Sequence, residues 1–199
     1  MLALIMAGGV GKRLNLGEKP LIFIAGRPMV SWVIDAFRKA GCDPVVVVSC
    51  RTPMTINWCR VQGIEFCKTG GTGFIEDMVE AVQMFGEEKP LFVSVSDIPC
   101  IDAGIVTTIE AAYLAAGKDA CSTWIPSDLV KSSRHGMPYR EQIQGTEACP
   151  AGINVLHGAR IAEPQEELQF LLNEPRLAIN VNTRADRDEA ELFLRMHPS

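Results

Sequence analysis

Histidine and paired cysteine are scarce in this 199-residue sequence, which contains three histidines and seven cysteines. No two cysteines stand in a C-x-x-C pattern, so the ordinary spacing of a zinc site is missing. The odd number of cysteines also argues against a disulfide framework. The composition therefore predicts reduced, partly buried thiols in a cytoplasmic protein, and no motif around any cysteine supports a catalytic Cys–His pair.

Blocks of lysine and arginine are also missing, and the formal net charge is −5. Because binding to nucleic-acid phosphates needs a basic footprint, nucleic acid is not an expected partner. No apolar run approaches the ~20 residues that span a membrane. We expect neither a membrane span nor a signal peptide, since the apolar run near the start is short and leads directly into glycines. An acidic protein that handles phosphates must gather its positive charge locally.

Short apolar runs alternate with amphipathic segments along the whole chain. Strands are predicted at 2–6, 45–49, 64–67, 91–95, 120–125, 153–156 and 177–181. Helices are predicted at 28–40, 53–63, 74–85, 103–116, 168–172 and 185–196, whereas 126–148 reads as irregular. Because such alternation requires right-handed crossovers, it predicts an α/β fold with a single doubly wound, mostly parallel sheet. We expect one domain over 1–199.

Glycines and polar residues follow several of the predicted strands directly. They occur at 8–19, 70–73, 97 and 182. Ligands of doubly wound sheets bind beyond the carboxyl ends of the strands. The sequence therefore predicts that these segments meet on one rim of the sheet.

The first glycine loop, which reads L-I-M-A-G-G-V-G-K-R-L over 4–14, matches neither of two common phosphate-binding motifs. A P-loop would need a glycine at Met6 and a serine or threonine at Arg13. The dinucleotide fingerprint would need a glycine at Leu14. Both motifs are excluded.

The pattern that remains, a strand followed by A-G-G-x-G-x-R-L, still suits a chain of phosphates. Glycines let the backbone approach phosphate oxygens with free N–H groups. Arg13 supplies a forked charge for those oxygens, and Lys19 adds a point charge. The alternative, a glycine turn with solvated basic residues, does not account for this spacing. The candidate nucleotide-binding residues of this loop are Ala7, Gly8, Gly9, Gly11 and Lys12.

Asp97 follows a buried strand, V-S-V-S-D, and is a candidate metal ligand. A triphosphate substrate needs Mg²⁺, and Mg²⁺ prefers one or two carboxylates together with phosphate oxygens and water. The alternative role for Asp97 is to cap the helix that follows.

A second glycine cluster precedes the predicted helix 74–85. A glycine loop at a helix N-terminus can bind an anion, and the alternative is a simple loop with a helix cap. Its candidate nucleotide-binding residues are Gly70, Gly71, Thr72 and Gly73. Further along, a strand that begins P-A-G needs close backbone approach at Gly152.

These motifs carry a resemblance to a known family. A-G-G-x-G-x-R-L followed by K-P-L is similar to the signature of the sugar-phosphate and cofactor nucleotidyltransferases. G-G-T-G-F-I-E-D, P-A-G-I-N-V and N-x-N-T then resemble, in order, the archaeal GTP:adenosylcobinamide-phosphate guanylyltransferases, within the molybdenum-cofactor-guanylyltransferase-like nucleotidyltransferases. The resemblance covers nearly the whole chain. It leaves out 126–148, which is either a lid over a large corrinoid or a variable insertion.

The resemblance implies a Rossmann-like nucleotidyltransferase fold and assigns roles to single residues. The implied catalytic residues are Arg13, Lys19 and Asp97. Mg²⁺ would be held by Asp97 and Asn182, where an asparagine makes the metal site less negative than an aspartate would. The alternative role for Asn182-Thr183 is a helix N-cap. The segment 70–73 would hold the base and ribose, and the nucleotide-binding set would also include Gly152 and Asn154.

The implied substrates are GTP and a phosphorylated corrinoid acceptor. The acceptor phosphate would attack the α-phosphorus and expel pyrophosphate, giving adenosylcobinamide-GDP in cobalamin biosynthesis. The resemblance also implies a homodimer. The alternative functions are a molybdenum-cofactor guanylyltransferase or another NTP transferase. A catalytically inactive nucleotide-binding regulator ranks lower, because Arg13, Lys19 and Asp97 are all present.

Overall fold

The computed structural model describes residues 1–9, 11, 17–130 and 139–197. Its strands are β1 (Leu2–Met6), β2 (Phe23–Ile24), β3 (Arg27–Pro28), β4 (Asp43–Ser49), β5 (Phe66–Thr69), β6 (Pro90–Val95), β7 (Ala120–Pro126), β8 (Glu141–Ile143), β9 (Thr146–His157) and β10 (Glu167–Leu171). Its α-helices are α1 (Met29–Lys39), α2 (Pro53–Gln62), α3 (Phe74–Phe85), α4 (Ala103–Ala116) and α5 (Arg184–Met196). Within those ranges, no helix combines the length and the hydrophobicity needed to cross a bilayer.

The main sheet follows the order β5–β4–β1–β6–β9–β7–β10, and β8 pairs with β9 at one side. The strands β5, β4, β1 and β6 are parallel to one another, and β7 is parallel to β10. Only β9, among the strands of that path, runs against the strands beside it. The predicted α/β fold with a mostly parallel sheet is therefore confirmed.

The central strands are buried on both faces because helices cover both sides of the sheet. Leu4 and Ile5 are both fully buried, yet they point to opposite faces, as neighbouring residues of a strand must. Leu4 packs in a cluster with residues of α3, such as Ala81. Ile5 packs in a cluster with residues of α1 and α4, such as Val33 and Ile105. The sheet is thus doubly wound, as the alternation of the sequence predicts.

The helix predicted at 168–172 is wrong, because this segment belongs to strand β10. Its residues pair in parallel with β7, with Leu168 opposite Cys121 and Phe170 opposite Thr123. The sequence E-L-Q-F-L alternates polar and apolar residues, which is the period of a strand. That period of two outweighs the helical interpretation.

The strand predicted at 177–181 is also wrong. A short 3₁₀ turn occupies Pro175–Ala178, and the Glu174 side chain caps it by accepting a hydrogen bond from the Arg176 backbone. Proline suits the first turn of a helix because its missing N–H would find no partner there. The apolar residues after it instead cross the end of the sheet, where they lead toward α5.

The segment 126–148 is more regular than predicted. β7 continues to Pro126, and β8 forms a hairpin with the start of β9, which has 12 residues. Gln144 and Gly145 join β8 to β9, and both have positive φ, 52° and 81°. This is the backbone of the two-residue turn that matches the twist of a hairpin. The residues 131–138 lie outside the described part of the chain.

Candidate active site

A cavity of about 300 Å³ opens at the carboxyl edge of the sheet. It lies where the neighbouring strands β6, β1, β4 and β5 end, and its size falls in the range of small-molecule sites. The lining residues are Met6, Gly8, Gly9, Lys19, Arg51, Gly71, Gly73, Phe74, Asp77, Val95, Ser96 and Asp97. The cavity therefore brings together parts of both glycine loops with Lys19 and Asp97.

Lys19 is at the centre of a polar network at one end of the cavity. Its ammonium group donates hydrogen bonds to Asp97 Oδ2 and, over 2.8 Å, to Asn182 Oδ1. Asn180 Nδ2 donates to Asp97 Oδ1 over 3.3 Å, and Asn182 Nδ2 donates to Asn180 Oδ1 over 2.6 Å. Three segments that are distant in sequence thus meet at Asp97, as the sequence predicts for Asp97 and Asn182.

The backbone around Asn182 is fixed on both sides. The backbone N–H of Val181 donates to the Asp97 carbonyl oxygen over 2.9 Å. After Asn182, Thr183 and Asp186 form a reciprocal capping box at the start of α5, which satisfies backbone donors that the helix leaves open. The cap is therefore Thr183, and the side chain of Asn182 is left to bind Lys19.

Asp97 likewise does not cap the helix after it. The N-cap of α4 is Asp102, whose side chain accepts a hydrogen bond from Ile105 N over 3.0 Å. The carboxylate of Asp97 instead lies in the cavity wall. Of the two roles that the sequence leaves open for Asp97, the capping role is wrong.

The first glycine loop packs closely against its neighbours. The Ser49 hydroxyl donates to the Gly8 carbonyl oxygen over 3.2 Å. Gly11 has a φ of +59°, and a Cβ on it would lie 2.7 Å from Lys19 Cβ. Only glycine fits this backbone without displacing Lys19. A Cβ on Gly9, in contrast, would meet none of the described residues within 4 Å, because Gly9 faces open space in the cavity.

The other predicted residues of this loop have different surroundings. Ala7 is buried, and its N–H donates to the Val47 carbonyl oxygen over 2.7 Å, which extends the β1–β4 ladder. Lys12 and Arg13 lie outside the described residues, and their roles stay predictions.

Glu18, beside Lys19, has a structural role that the sequence pattern does not reveal. Its carboxylate is buried and accepts hydrogen bonds from Met54 N, Thr55 N and Thr55 Oγ1 over 2.8, 2.7 and 2.6 Å. Negative charge at the first turn of α2 is favourable because unpaired N–H groups point outward there. Glu18 thereby anchors the backbone that presents Lys19. Its contacts lie 36 and 37 residues away, and no local pattern marks them.

The second glycine loop is held by carboxylates of α3. Gly71 N and Thr72 N donate to Asp77 Oδ1 over 2.8 and 3.3 Å. Gly70 N donates to Glu80 Oε2 over 2.9 Å. These bonds fix the backbone of the loop from the helix that follows it.

This loop also comes very close to the end of β4. Gly71 has a φ of +72°, and a Cβ on it would lie 3.0 Å from Ser49 Cβ. Gly73 then begins α3 with no side chain capping the helix. Gly71 and Gly73 line the cavity, whereas Gly70 and Thr72 are exposed beside it.

Gly152 and Asn154 lie on β9 rather than in the loops. A Cβ on Gly152 would lie 2.7 Å from Val95 Cγ2, and its φ is +78°. Val95 lines the cavity, so Gly152 supports the cavity wall from behind. Asn154 Oδ1 accepts a hydrogen bond from Thr123 N over 3.4 Å at the irregular pairing of β7 with β9. The structure thus places Asn154 among the strands, outside the cavity lining, and its nucleotide contact stays a prediction.

Arg51 is a cavity residue that the sequence motifs do not mark. It is exposed, and its guanidinium forms no ion pair or hydrogen bond within the described part of the chain. Together with Lys19, it brings positive charge to a cavity whose carboxylates are Asp77 and Asp97. It follows β4 by two residues, so the rule that ligands bind beyond strand ends, applied to β4, would have found it.

The polar end of the cavity fits the predicted Mg²⁺. Asp97 Oδ2 and Asn182 Oδ1 already share one cationic group, the Lys19 ammonium. Carboxylate oxygens have further lone pairs, and Asp97 Oδ1 receives only one long hydrogen bond. In the described ranges, at this site as elsewhere, no three side chains of His, Cys, Asp or Glu converge as a metal site. A magnesium ion here would take its other ligands from phosphates and water, as it commonly does.

Comparison with solved structures identifies the fold. A hypothetical transferase from Thermus thermophilus superposes with a TM-score of 0.72 at 17% identity, covering 94% of this chain and 98% of that one. The inositol-1-phosphate CTP transferase from T. maritima superposes with a TM-score of 0.70 at 15% identity, covering 100% and 96%. This is the fold of a nucleotidyltransferase.

Sequence comparison defines the family. A model of the MobA-like NTP transferase domain matches residues 3–162, and the chain belongs to this family of nucleotidyltransferases. Among curated proteins, it is 29% identical to the adenosylcobinamide-phosphate guanylyltransferase of Methanocaldococcus jannaschii over 202 aligned positions, which cover 97% of each chain.

Proposed function

We propose that the protein transfers GMP from GTP to adenosylcobinamide phosphate, giving adenosylcobinamide-GDP and pyrophosphate in cobalamin biosynthesis. The observation that carries the proposal is the similarity to the Methanocaldococcus jannaschii guanylyltransferase over nearly the full length of both chains. The cavity supports it, because its two ends differ in chemistry. Lys19 and Asp97 lie at the end beside β6, and Gly71, Phe74 and Asp77 lie at the end beside β5.

The reaction requires little proton transfer. An oxygen of the acceptor phosphate attacks the α-phosphorus of GTP in line and forms a new P–O bond. The bond between the α-phosphorus and its bridging oxygen to the β-phosphate breaks, and the electron pair leaves with pyrophosphate. The second pKa of a phosphate ester is about 6, so the acceptor is largely ionised at neutral pH. Catalysis then depends on positioning and on charge neutralisation.

Lys19 has the geometry to neutralise phosphate charge. An ammonium group has three N–H donors, and Asp97 and Asn182 accept two of them. The third is left for a phosphate oxygen. Because Glu18 anchors the neighbouring backbone, the position of Lys19 is set before the substrate binds. We propose that Arg13 adds a second positive charge to the same phosphates.

The magnesium ion belongs to the same proposal. Asp97 and Asn182 would hold it, with Asn182 contributing its amide oxygen. When bound, Mg²⁺ supplies positive charge that stabilises the developing negative charge on the phosphates. The side chain of Asn180 orients both ligands, since it donates to Asp97 and accepts from Asn182.

Guanylyl transfer to the molybdenum cofactor is the second candidate. The match to the MobA-like NTP transferase domain favours it, because residues 3–162 include both glycine loops and Asp97, which this reaction would also need. The two candidates therefore share the nucleotide chemistry and differ only in the acceptor.

We further propose a cytoplasmic homodimer. All seven cysteines are unpaired, and six of them are buried, which supports a reducing compartment. The homodimer rests on the family resemblance alone, and light scattering of the purified protein would test it.

The direct test supplies the purified protein with Mg²⁺, one nucleoside triphosphate and one acceptor. Mass spectrometry and pyrophosphate release would follow the product. Adenosylcobinamide-GDP formed from GTP is the expected result. Product formed only with molybdopterin as acceptor would overturn the corrinoid assignment, and turnover with CTP, UTP or ATP but not GTP would overturn guanylyl transfer.

The metal site has a matched pair of variants. Asp97→Asn should abolish turnover and the response to Mg²⁺ while the fold is kept. Asp43→Asn makes the same chemical change at an exposed position where β4 begins, at the opposite edge of the sheet, and should leave turnover unchanged. Full turnover in Asp97→Asn with the native dependence on Mg²⁺ would sink the metal-site assignment.

A further inference from the structure

Asp77 is a buried carboxylate in the cavity wall, and only half of it is satisfied. It is 8% exposed. Its Oδ1 atom accepts both backbone hydrogen bonds from the glycine loop, from Gly71 N and Thr72 N. Its Oδ2 atom has no hydrogen-bond or ion-pair partner within the described ranges and lies 3.9 Å from the position that a Cβ on Gly8 would take.

The Oδ2 atom is accessible from the cavity, so a ligand that fills the cavity displaces the water around this oxygen and must supply donors in its place. An ionised carboxylate accepts hydrogen bonds and donates none, and covering it with a ligand that offers no donor would cost free energy. Oδ2 faces the cavity between the two glycine loops. The geometry thus calls for a ligand with N–H or O–H groups directed at this oxygen.

The surroundings of Asp77 suit a flat aromatic ring. Phe74 lines the same end of the cavity and is 46% exposed, so its ring is available for stacking. Gly8 and Gly71 also line the cavity and present backbone rather than side chains to it. Lys19 and Asp97 mark the other end, where phosphates belong. The Asp77 end is therefore the place for the base.

Guanine is the common base whose edge fits a carboxylate. Its Watson–Crick edge carries two adjacent donors, the N1–H and the C2 amino group. Adenine and cytosine place a ring-nitrogen acceptor beside their single amino donor, and uracil places its single N–H between two carbonyl oxygens. An acceptor-only group such as a carboxylate attracts two adjacent donors and repels the neighbouring acceptors.

We propose that Asp77 selects guanine by accepting hydrogen bonds from N1–H and the C2 amino group through Oδ2. The inference rests on the proposed function, in which the cavity binds a nucleoside triphosphate. It assigns base selection to a side chain, although the resemblance assigns the base to the loop before it. The hydrogen bonds from Gly71 N and Thr72 N hold the carboxylate in place, so the loop fixes the position from which Oδ2 accepts hydrogen bonds from the base.

The test is the variant Asp77→Asn with three purine triphosphates, GTP, ITP and XTP. Hypoxanthine lacks the C2 amino group, and xanthine carries a carbonyl oxygen there. The native protein should bind GTP roughly 10- to 100-fold more tightly than ITP, which corresponds to one hydrogen bond to a charged group, and XTP most weakly. Isothermal titration measures all three affinities.

The substituted amide has only one favourable orientation. Gly71 N and Thr72 N are donors, so they bind the carbonyl oxygen of the new asparagine and turn its NH₂ group toward the base. That group repels the guanine amino group and donates to the xanthine carbonyl. The bond lost at N1–H is common to both bases, so the ratio of XTP to GTP affinity changes through the contact at C2 alone. This ratio should rise by roughly 10- to 100-fold, which corresponds to one hydrogen bond to a charged group.

Glu80→Gln is the matched control. Glu80 lies on the same helix and accepts from Gly70 N in the same loop, but it does not line the cavity. Its order of affinities should stay GTP, then ITP, then XTP. An unchanged order in Asp77→Asn, with GTP still bound by the native protein, would overturn the role of Asp77 alone. A native protein that binds no nucleoside triphosphate would overturn the proposed function first.

Discussion

Gly152 offers the sharpest test of how the sheet supports the cavity. The substitution Gly152→Ala places a methyl group 2.7 Å from Val95 Cγ2 at a φ of +78°. A left-handed conformation costs an L-residue about 1–2 kcal/mol, and overpacking typically costs about 1–3 kcal/mol. We therefore expect the free energy of unfolding to fall by roughly 3 kcal/mol, since the two effects add.

The effect on the ligand follows from the position of Val95. Because Val95 lines the cavity, a displaced valine side chain narrows the space for the nucleotide. We expect GTP affinity to fall roughly tenfold, which equals about 1.4 kcal/mol. Denaturant unfolding gives the stability, and isothermal titration gives the affinity.

The double variant Val95→Ala/Gly152→Ala separates the two causes. Removing the valine methyl groups relieves the close contact but leaves the backbone strain. Gly152→Ala should therefore cost roughly 1–2 kcal/mol in the Val95→Ala background, which is the strain alone. If Gly152→Ala costs the same in both backgrounds, the contact with Val95 is not the cause, and the reasoning is refuted.

Two further predictions concern groups outside the reaction. Glu18→Gln should lower the free energy of unfolding by roughly 1–3 kcal/mol, because the α2 backbone loses charge-assisted hydrogen bonds. It should also weaken GTP binding, because Glu18 anchors the backbone that presents Lys19. A loss of stability without any change in GTP affinity would contradict the anchoring role. Thiol labelling at pH 8 should modify Cys50 first, since it is the exposed cysteine. Burial raises the pKa of Cys59, Cys67 and Cys121 to about 11, and rapid labelling of several thiols in the native protein would contradict this.

The sequence predicts the helices most accurately where their ends carry local signals. α3 and α4 begin and end as predicted, at Phe74–Phe85 and Ala103–Ala116. Both end at a glycine in the left-handed conformation, Gly86 and Gly117, which is a common helix stop. The prediction fails at β10 because its apolar residues are few and its neighbours in the sheet are distant in sequence.

The residues of the site likewise divide into those that a local sequence pattern predicts and those that it does not. Lys19 and Asp97 could be predicted because one follows a glycine loop and the other follows a buried strand, and both positions have a local sequence pattern. Arg51 follows β4 by two residues and could have been found by the same rule. Glu18 and the oxygen atoms of Asp77 could not be predicted in this way. Their significance depends on contacts with other segments, which form only when the sheet is assembled.

The reversed direction of β9 gives the fold an exchangeable part. Its first residues pair with the end of β7, with Ala148 opposite Pro126, so the β8–β9 hairpin reaches the sheet beside the ends of the parallel strands. None of the described residues from Ser127 to Gly145 lines the cavity. A foreign hairpin could be grafted there while every described lining residue keeps its own strand, loop or helix. Within one fold, the nucleotide-binding cavity can thus stay constant while the neighbouring hairpin surface is changed to suit a different acceptor.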